Sequence, residues 1–196
     1  MEHDASHGIA WVESPLQLIA AAEWASRQEK PVVVALRLGS PQMAATAEEL
    51  LARGARFAEV IPFYGIPWNL LSRHREWAIG DGFSGQFRGA ASTLSPRTVT
   101  LLDDGAHTIF LADALLERTG FARPGQRESA LSTLLGGRAR TRLLRLAGRG
   151  RLEISTAFDL GADRMRALAA RTIRVTPHRL EWYAPRRDRS PSRATG

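Results

Sequence analysis

Thr98-Val-Thr-Leu-Leu-Asp-Asp-Gly105 is an apolar, β-branched run that stops at two adjacent carboxylates and a glycine, and a helical pattern begins just after it. It reads as a buried strand that delivers acids to the edge of a sheet. In open parallel sheets ligands sit outside the carboxyl ends of the strands, so Asp103 and Asp104 stand where chemistry would be done. Gly105 allows the tight turn. Two neighbouring carboxylates raise the proton affinity of one of them, which suits a general base or acid. The plainer reading is a cap on the next helix, since Asp is among the favoured N-caps.

Outward from this strand the chain alternates regularly on its amino-terminal side. Gly8-Ile-Ala-Trp-Val-Glu13 is a short apolar strand, and Ser14-Pro15 opens a helix to Arg27, with Ser as N-cap and Pro at the first helical position. Pro31 to Arg37 is a continuous β-branched run, as in a strand buried on both faces. Pro41 to Arg53 is helical with Gly54 as its stop, and Phe57 to Phe63 supplies a third strand. A short helix over 68–75 and a fourth strand over 76–81 follow, in a stretch interrupted by Gly80, Gly82, Gly85 and Gly89. Asp81 thus lies at a second strand end, where it either faces the same crevice or makes an ordinary Asp-Gly turn.

Downstream, 106–118 forms a helix with Ile109, Phe110, Ala112 and Leu116 towards the sheet, and 121–128 is a loop. Leu134-Leu-Gly-Gly137 separates a weak helix from an arginine- and leucine-rich one over 138–148. Further strands are expected over 151–158 and 171–175. This order predicts an α/β fold, a doubly wound parallel sheet of about five to seven strands with helices on both faces. Residues 1–184 form one domain, and the Arg/Pro/Ser-rich tail 185–196 is expected to be disordered and dispensable for folding.

Composition narrows the function classes. The 196 residues are 44% hydrophobic, with no cysteine and five scattered histidines, so neither disulfides nor a metal-ligand spacing is indicated. No run is long and apolar enough for a transmembrane span, and the acidic start is no signal peptide, so a cytoplasmic protein is expected. The formal charge is +7, nearly all from arginine, since Lys30 is the only lysine. Arginines gather over 138–151 and 179–193 without interleaved aromatics, which argues for a solvated basic face rather than nucleic-acid binding.

Four stretches together resemble a known family: Val12-Glu-Ser-Pro-Leu-Gln-Leu18, Ile79-Gly-Asp81 with Ser84-Gly-Gln-Phe-Arg88, Leu101-Leu-Asp-Asp-Gly105, and Ile154-Ser-Thr-Ala-Phe-Asp159. In that order they are similar to the bacterial sialyltransferase and polysialyltransferase-like glycosyltransferases. The resemblance implies a Rossmann-like domain equivalent to the amino-terminal, acceptor-side half of a GT-B glycosyltransferase. It implies inverting, metal-independent transfer of sialic acid from a cytidine monophosphate (CMP) sugar to a glycan acceptor, with CMP-sialic acid or a similar nucleotide sugar as donor substrate and no separate cofactor.

On this resemblance the general base is Asp103, with Asp104 as the alternative, and Ser14, Pro15, Gln17, Gly80, Asp81 and Gly105 line the acceptor side. If the strand ending at Leu102 is central, Asp103 and Asp104 point to opposite sides, and Asp103 is expected to face a cleft shared with Asp81 and Ser14. Asp104 is expected to cap the next helix. The family's His-Pro signature for the donor phosphate is missing; Pro177-His178 has the residue types in reverse order, leaving His178 as a weak donor-side candidate. The donor-binding second domain is therefore expected to lie outside this sequence, supplied by another subunit, or the arginine-leucine helix pairs two copies. The alternative is a non-catalytic Rossmann-like binding module.

Overall fold

The computed structural model describes residues 8–37, 39–125, 128–179 and 181–183, so the tail 185–196 lies outside the described residues. Seven strands form one parallel sheet in the order β3-β2-β1-β4-β5-β6-β7. They are β1 (Ile9–Val12), β2 (Val32–Arg37), β3 (Phe57–Phe63), β4 (Glu76–Ile79), β5 (Thr98–Leu101), β6 (Leu152–Thr156) and β7 (Arg174–Pro177). The helices between them are α1 (Pro15–Ser26), α2 (Pro41–Ala52), α3 (Trp68–Arg73), α4 (Gly85–Thr93), α5 (His107–Leu115), α6 (Ala130–Ala147) and α7 (Ala162–Ala170). The expected Rossmann-like doubly wound α/β architecture is present.

Alternate strand residues feed two cores. Ile9, Trp11, Trp77, Ile79, Val99, Leu101 and Ile154 pack on the side of α4, α5 and α6, whereas Ala10, Val12, Val32, Val34 and Ala78 pack under α1 and α2. Trp11 and Trp77, 2% and 1% exposed, each contribute on the order of 1.5–3 kcal/mol by burial. Central β1 and β2 are buried on both faces, matching their continuous apolar runs. The edge strands β3 and β7 are partly exposed, with Ala58, Glu59 and Pro62 exposed on β3 and Arg174 and Pro177 on β7.

The chain winds from β1 out to β3, then crosses back to β4 on the other side of β1. Between β1 and β4 the direction of winding reverses, and a crevice opens outside the strand ends at such a point.

Three local expectations are corrected. Residues 85–93, where glycines suggested irregular chain, form α4: the Ser84 hydroxyl accepts from the Phe87 N–H at 2.9 Å, and Phe87, Ala90 and Ala91 are buried. The break expected at Gly136-Gly137 does not occur, and α6 runs unbroken from Ala130 to Ala147. Gly136 is needed there because a Cβ would lie 2.7 Å from the Phe121 carbonyl oxygen. Finally, Phe110 on α5 is 42% exposed rather than packed on the sheet. Helix α7, which short polar periodicity did not signal, connects β6 to β7.

Candidate active site at the carboxyl edge of the sheet

Where β1 ends, Glu13 and Ser14 turn the chain into α1. The Ser14 hydroxyl accepts from the Gln17 N–H at 3.3 Å and Pro15 occupies the first turn, as the sequence predicts. This places Gln17, 3% exposed, directly over the reversal point. Its Oε1 accepts from the Glu13 N–H at 2.8 Å, and its Nε2 donates to Asp104 Oδ1 at 2.7 Å. One amide thus bridges the ends of β1 and β5. Gly80, between them at the end of β4, leaves room for that bridge, since a Cβ there would sit 2.3 Å from Gln17 Oε1.

Asp103 and Asp104 do face opposite ways, but with the roles of the two sides exchanged. Asp103 is turned away from Gln17 and Asp81 and is 3% exposed. Its Oδ1 accepts from Gly105 N–H at 3.0 Å and Thr108 Oγ1 at 3.1 Å; its Oδ2 accepts from Ala157 N–H at 2.7 Å and Thr156 Oγ1 at 3.3 Å. Four donors fasten the end of β5 to β6 and α5. Gly105, at φ +67°, makes the turn that lets its N–H reach back.

Asp104 is instead the carboxylate beside Gln17 and Asp81. Burial is the main cause that holds its pKa above the usual carboxylate value, and the charge of Asp81 adds to this; the Gln17 hydrogen bond, His107 and Arg123 oppose it. His107 Nδ1 stands 3.6 Å from Asp104 Oδ2. Nor does Asp104 cap α5. The N-cap residue of that helix is Ala106, which gives no side-chain cap, and the Thr108 hydroxyl accepts from the Asp104 N–H at 3.1 Å.

Asp81 completes the group. Its Oδ1 accepts from the Phe83 N–H at 2.9 Å, the Asp-Gly turn foreseen as one reading, while its Oδ2 accepts from Arg123. Arg37, at the end of β2, donates to Glu13 Oε2 at 2.6 Å. Between these pairs lies an open pocket of about 450 Å³ lined by Glu13, Arg37, Asp81, Ser84, Arg88 and Arg123 among others. A second groove of about 410 Å³, on the polar face of β5 and β6 with Thr98, Thr100 and Glu153, contains none of the predicted site residues.

His178 does not join this edge. It follows β7 with its N–H donating to the Thr156 carbonyl at 2.8 Å and its Nδ1 2.9 Å from Glu23 Oε2 on α1. Burial lowers its pKa, against the opposing charges of Glu23 and Asp103. Among the described residues, no group of three or more His, Cys, Asp or Glu side chains is placed to hold a metal ion.

The structure therefore brings together Ser14, Pro15, Gln17, Gly80, Asp81 and Asp104, sets Asp103 and Gly105 behind them as framework, and places His178 in the interior. Sequence reasoning missed Glu13, Arg37, His107 and Arg123. His107 was detectable from its i+3 spacing to Asp104. Arg123, one arginine of many in a loop, carried no signal. Compared with protein-family models, curated proteins and solved structures, the chain matches none.

Proposed function

We propose that this protein is a glycosyltransferase-like enzyme in which Asp104 is the general base for an acceptor hydroxyl and a CMP-sugar, such as CMP-sialic acid, is the donor. The observation that carries this reading is the setting of Asp104: a carboxylate of raised proton affinity, at the strand edge where the sheet reverses, positioned by the Nε2 of the Gln17 amide. In addition, the four stretches of family resemblance, separate in sequence, all reach this one edge of the sheet.

In the reaction, the acceptor hydroxyl transfers its proton to Asp104 as its oxygen attacks the anomeric carbon. The bond from that carbon to the phosphate oxygen breaks, and CMP leaves with the electron pair. A carboxylate of raised pKa is the better base for this step. Gln17 holds Oδ1 and leaves Oδ2 on the side of His107. Arg37 and Arg123 line the neighbouring pocket with donors for sugar hydroxyls or carboxylates.

The test is transfer of labelled sugar from CMP-sialic acid to a panel of glycan acceptors. Asp104→Asn is expected to lose roughly a hundred- to ten-thousand-fold in rate while remaining folded. Equal rates in wild type and Asp104→Asn overturn the assignment. A second reading, a non-catalytic binding module, is favoured by the pairing of the pocket arginines with the chain's own carboxylates, Arg37 with Glu13 and Arg123 with Asp81. Nucleotide or glycan binding without transfer by any variant would select it.

A further inference from the structure

Helix α6 lies on a different part of the molecule from the carboxyl-edge pocket, and its charge is not explained by folding. From Ser129 through Arg151 inclusive there are six arginines and no acidic residue. Arg142 has a structural task, since it donates to the carbonyls of Ala91 and Leu94 at the end of α4. Arg138, Arg140, Arg145 and Arg149 make no side-chain hydrogen bond or ion pair with any described residue.

The exposed side of the helix is ordered along its length. Leu131, Leu134, Arg138, Thr141 and Arg145 follow one another at steps of three and four, opposite the buried Gly136, Ala139, Leu143 and Ala147. Leu131 is 65% and Leu134 51% exposed. The stripe spans about 20 Å from Leu131 to Arg145. Beside it, between α6 and the end of α4, runs a groove of about 600 Å³ lined by four arginines and three hydroxyl side chains, with no carboxylate.

We infer that α6 is a docking face for a bilayer rich in anionic lipid, in which Leu131 and Leu134 enter the headgroup boundary and the arginines meet lipid phosphates. Charge complementarity selects an anionic partner, and the leucines select a bilayer. Nucleic acid would use the arginines, whereas two exposed leucines in the same stripe gain nothing from a phosphate backbone. Arginine suits this interface because its guanidinium binds phosphate oxygens bidentately and is weakly hydrated. This inference is independent of the reading of the carboxyl edge.

The test is co-sedimentation of the full chain with vesicles of 70% phosphatidylcholine and 30% phosphatidylglycerol, against pure phosphatidylcholine, over a range of salt. The expected result is binding to the anionic vesicles that weakens as salt rises. Each arginine near such a surface contributes about 1 kcal/mol, or about five-fold in partitioning, so the triple variant Arg138→Glu/Arg145→Glu/Arg149→Glu should bind at least about a hundred-fold more weakly. Leu131→Ser/Leu134→Ser should also weaken binding, and the remaining binding should keep its salt dependence. These positions are exposed, and unchanged circular dichroism and melting establish that the variants are folded. Three results overturn the proposal: no preference for anionic vesicles, binding to duplex DNA or polyphosphate that exceeds vesicle binding and ignores the leucine changes, or a dimer that the charge reversal dissociates while vesicle binding is unaltered.

Discussion

The two adjacent carboxylates separate structure from chemistry. Asp103 accepts four hydrogen bonds at a buried site, so Asp103→Ala leaves four donors without their acceptor and should cost about 2–4 kcal/mol in denaturant unfolding. Asp104 should behave in the opposite sense. Its folded-state pKa lies above the ordinary value of 3.8, so the ionised form costs stability at neutral pH, and this cost vanishes as pH falls below that value. Asp104→Asn, which still offers an oxygen to Gln17, should therefore melt higher than wild type at pH 7 and lose its advantage in acid. Melting curves of the two proteins from pH 3 to 8 check this. A functional group held against its own solvation is a common origin of such a gain.

Among the elements, α6 provides the sharpest contrast. Gly136 and Gly137 are neighbours in sequence and both lie inside the helix, but only the first meets another part of the chain. A Cβ at Gly136 would press on the Phe121 carbonyl oxygen and on Arg88, whereas at Gly137 it would meet nothing within 4 Å. Gly136→Ala should destabilise by about 1–3 kcal/mol, and Gly137→Ala should stabilise by up to about 1 kcal/mol through helix propensity. Equal effects of the two, measured by thermal or urea unfolding, would contradict this packing. Arg88 of α4 explains why the contact is close. It is 5% exposed, pairs with Glu128 just before α6 at 2.5 Å, and lowers the Glu128 pKa chiefly through that hydrogen bond. Of the two glycines that looked like a break in the sequence, Gly136 is therefore a contact point of α6 with the Phe121 backbone and with Arg88 of α4.

At the scale of the molecule, the described chain after β7 is fastened to α1 and to the end of α2. His178 and the Arg179 N–H meet Glu23 on α1, while Arg53 after α2 donates to the carbonyls of Glu181 and Trp182 and stacks over the Trp182 ring. Trp182→Ala should cost about 1–2 kcal/mol of global stability, read from the unfolding midpoint. Because burial lowers the His178 pKa below its ordinary value of 6.5, the unfolded chain takes up that proton first as pH falls. Stability should decline on acidification below about 6.5, and His178→Gln should flatten the decline.

The sequence alone was sufficient for the fold class and for the start of α1. Continuous β-branched runs such as Val32–Leu36 have the pattern of strands buried on both faces, and Ser14-Pro15 marks the helix start that lies over the reversal point, because these are signals of local composition and local capping. It also identified two acids at one strand end. Which of them stands beside Gln17 and Asp81 was decided only by tertiary structure: Thr156 and Ala157, over fifty residues away, offer donors to Asp103, and Gln17, 87 residues away, offers one to Asp104. A strand's pleat sends neighbouring side chains to opposite sides, but which side is the cleft depends on the strands and helices that close around it.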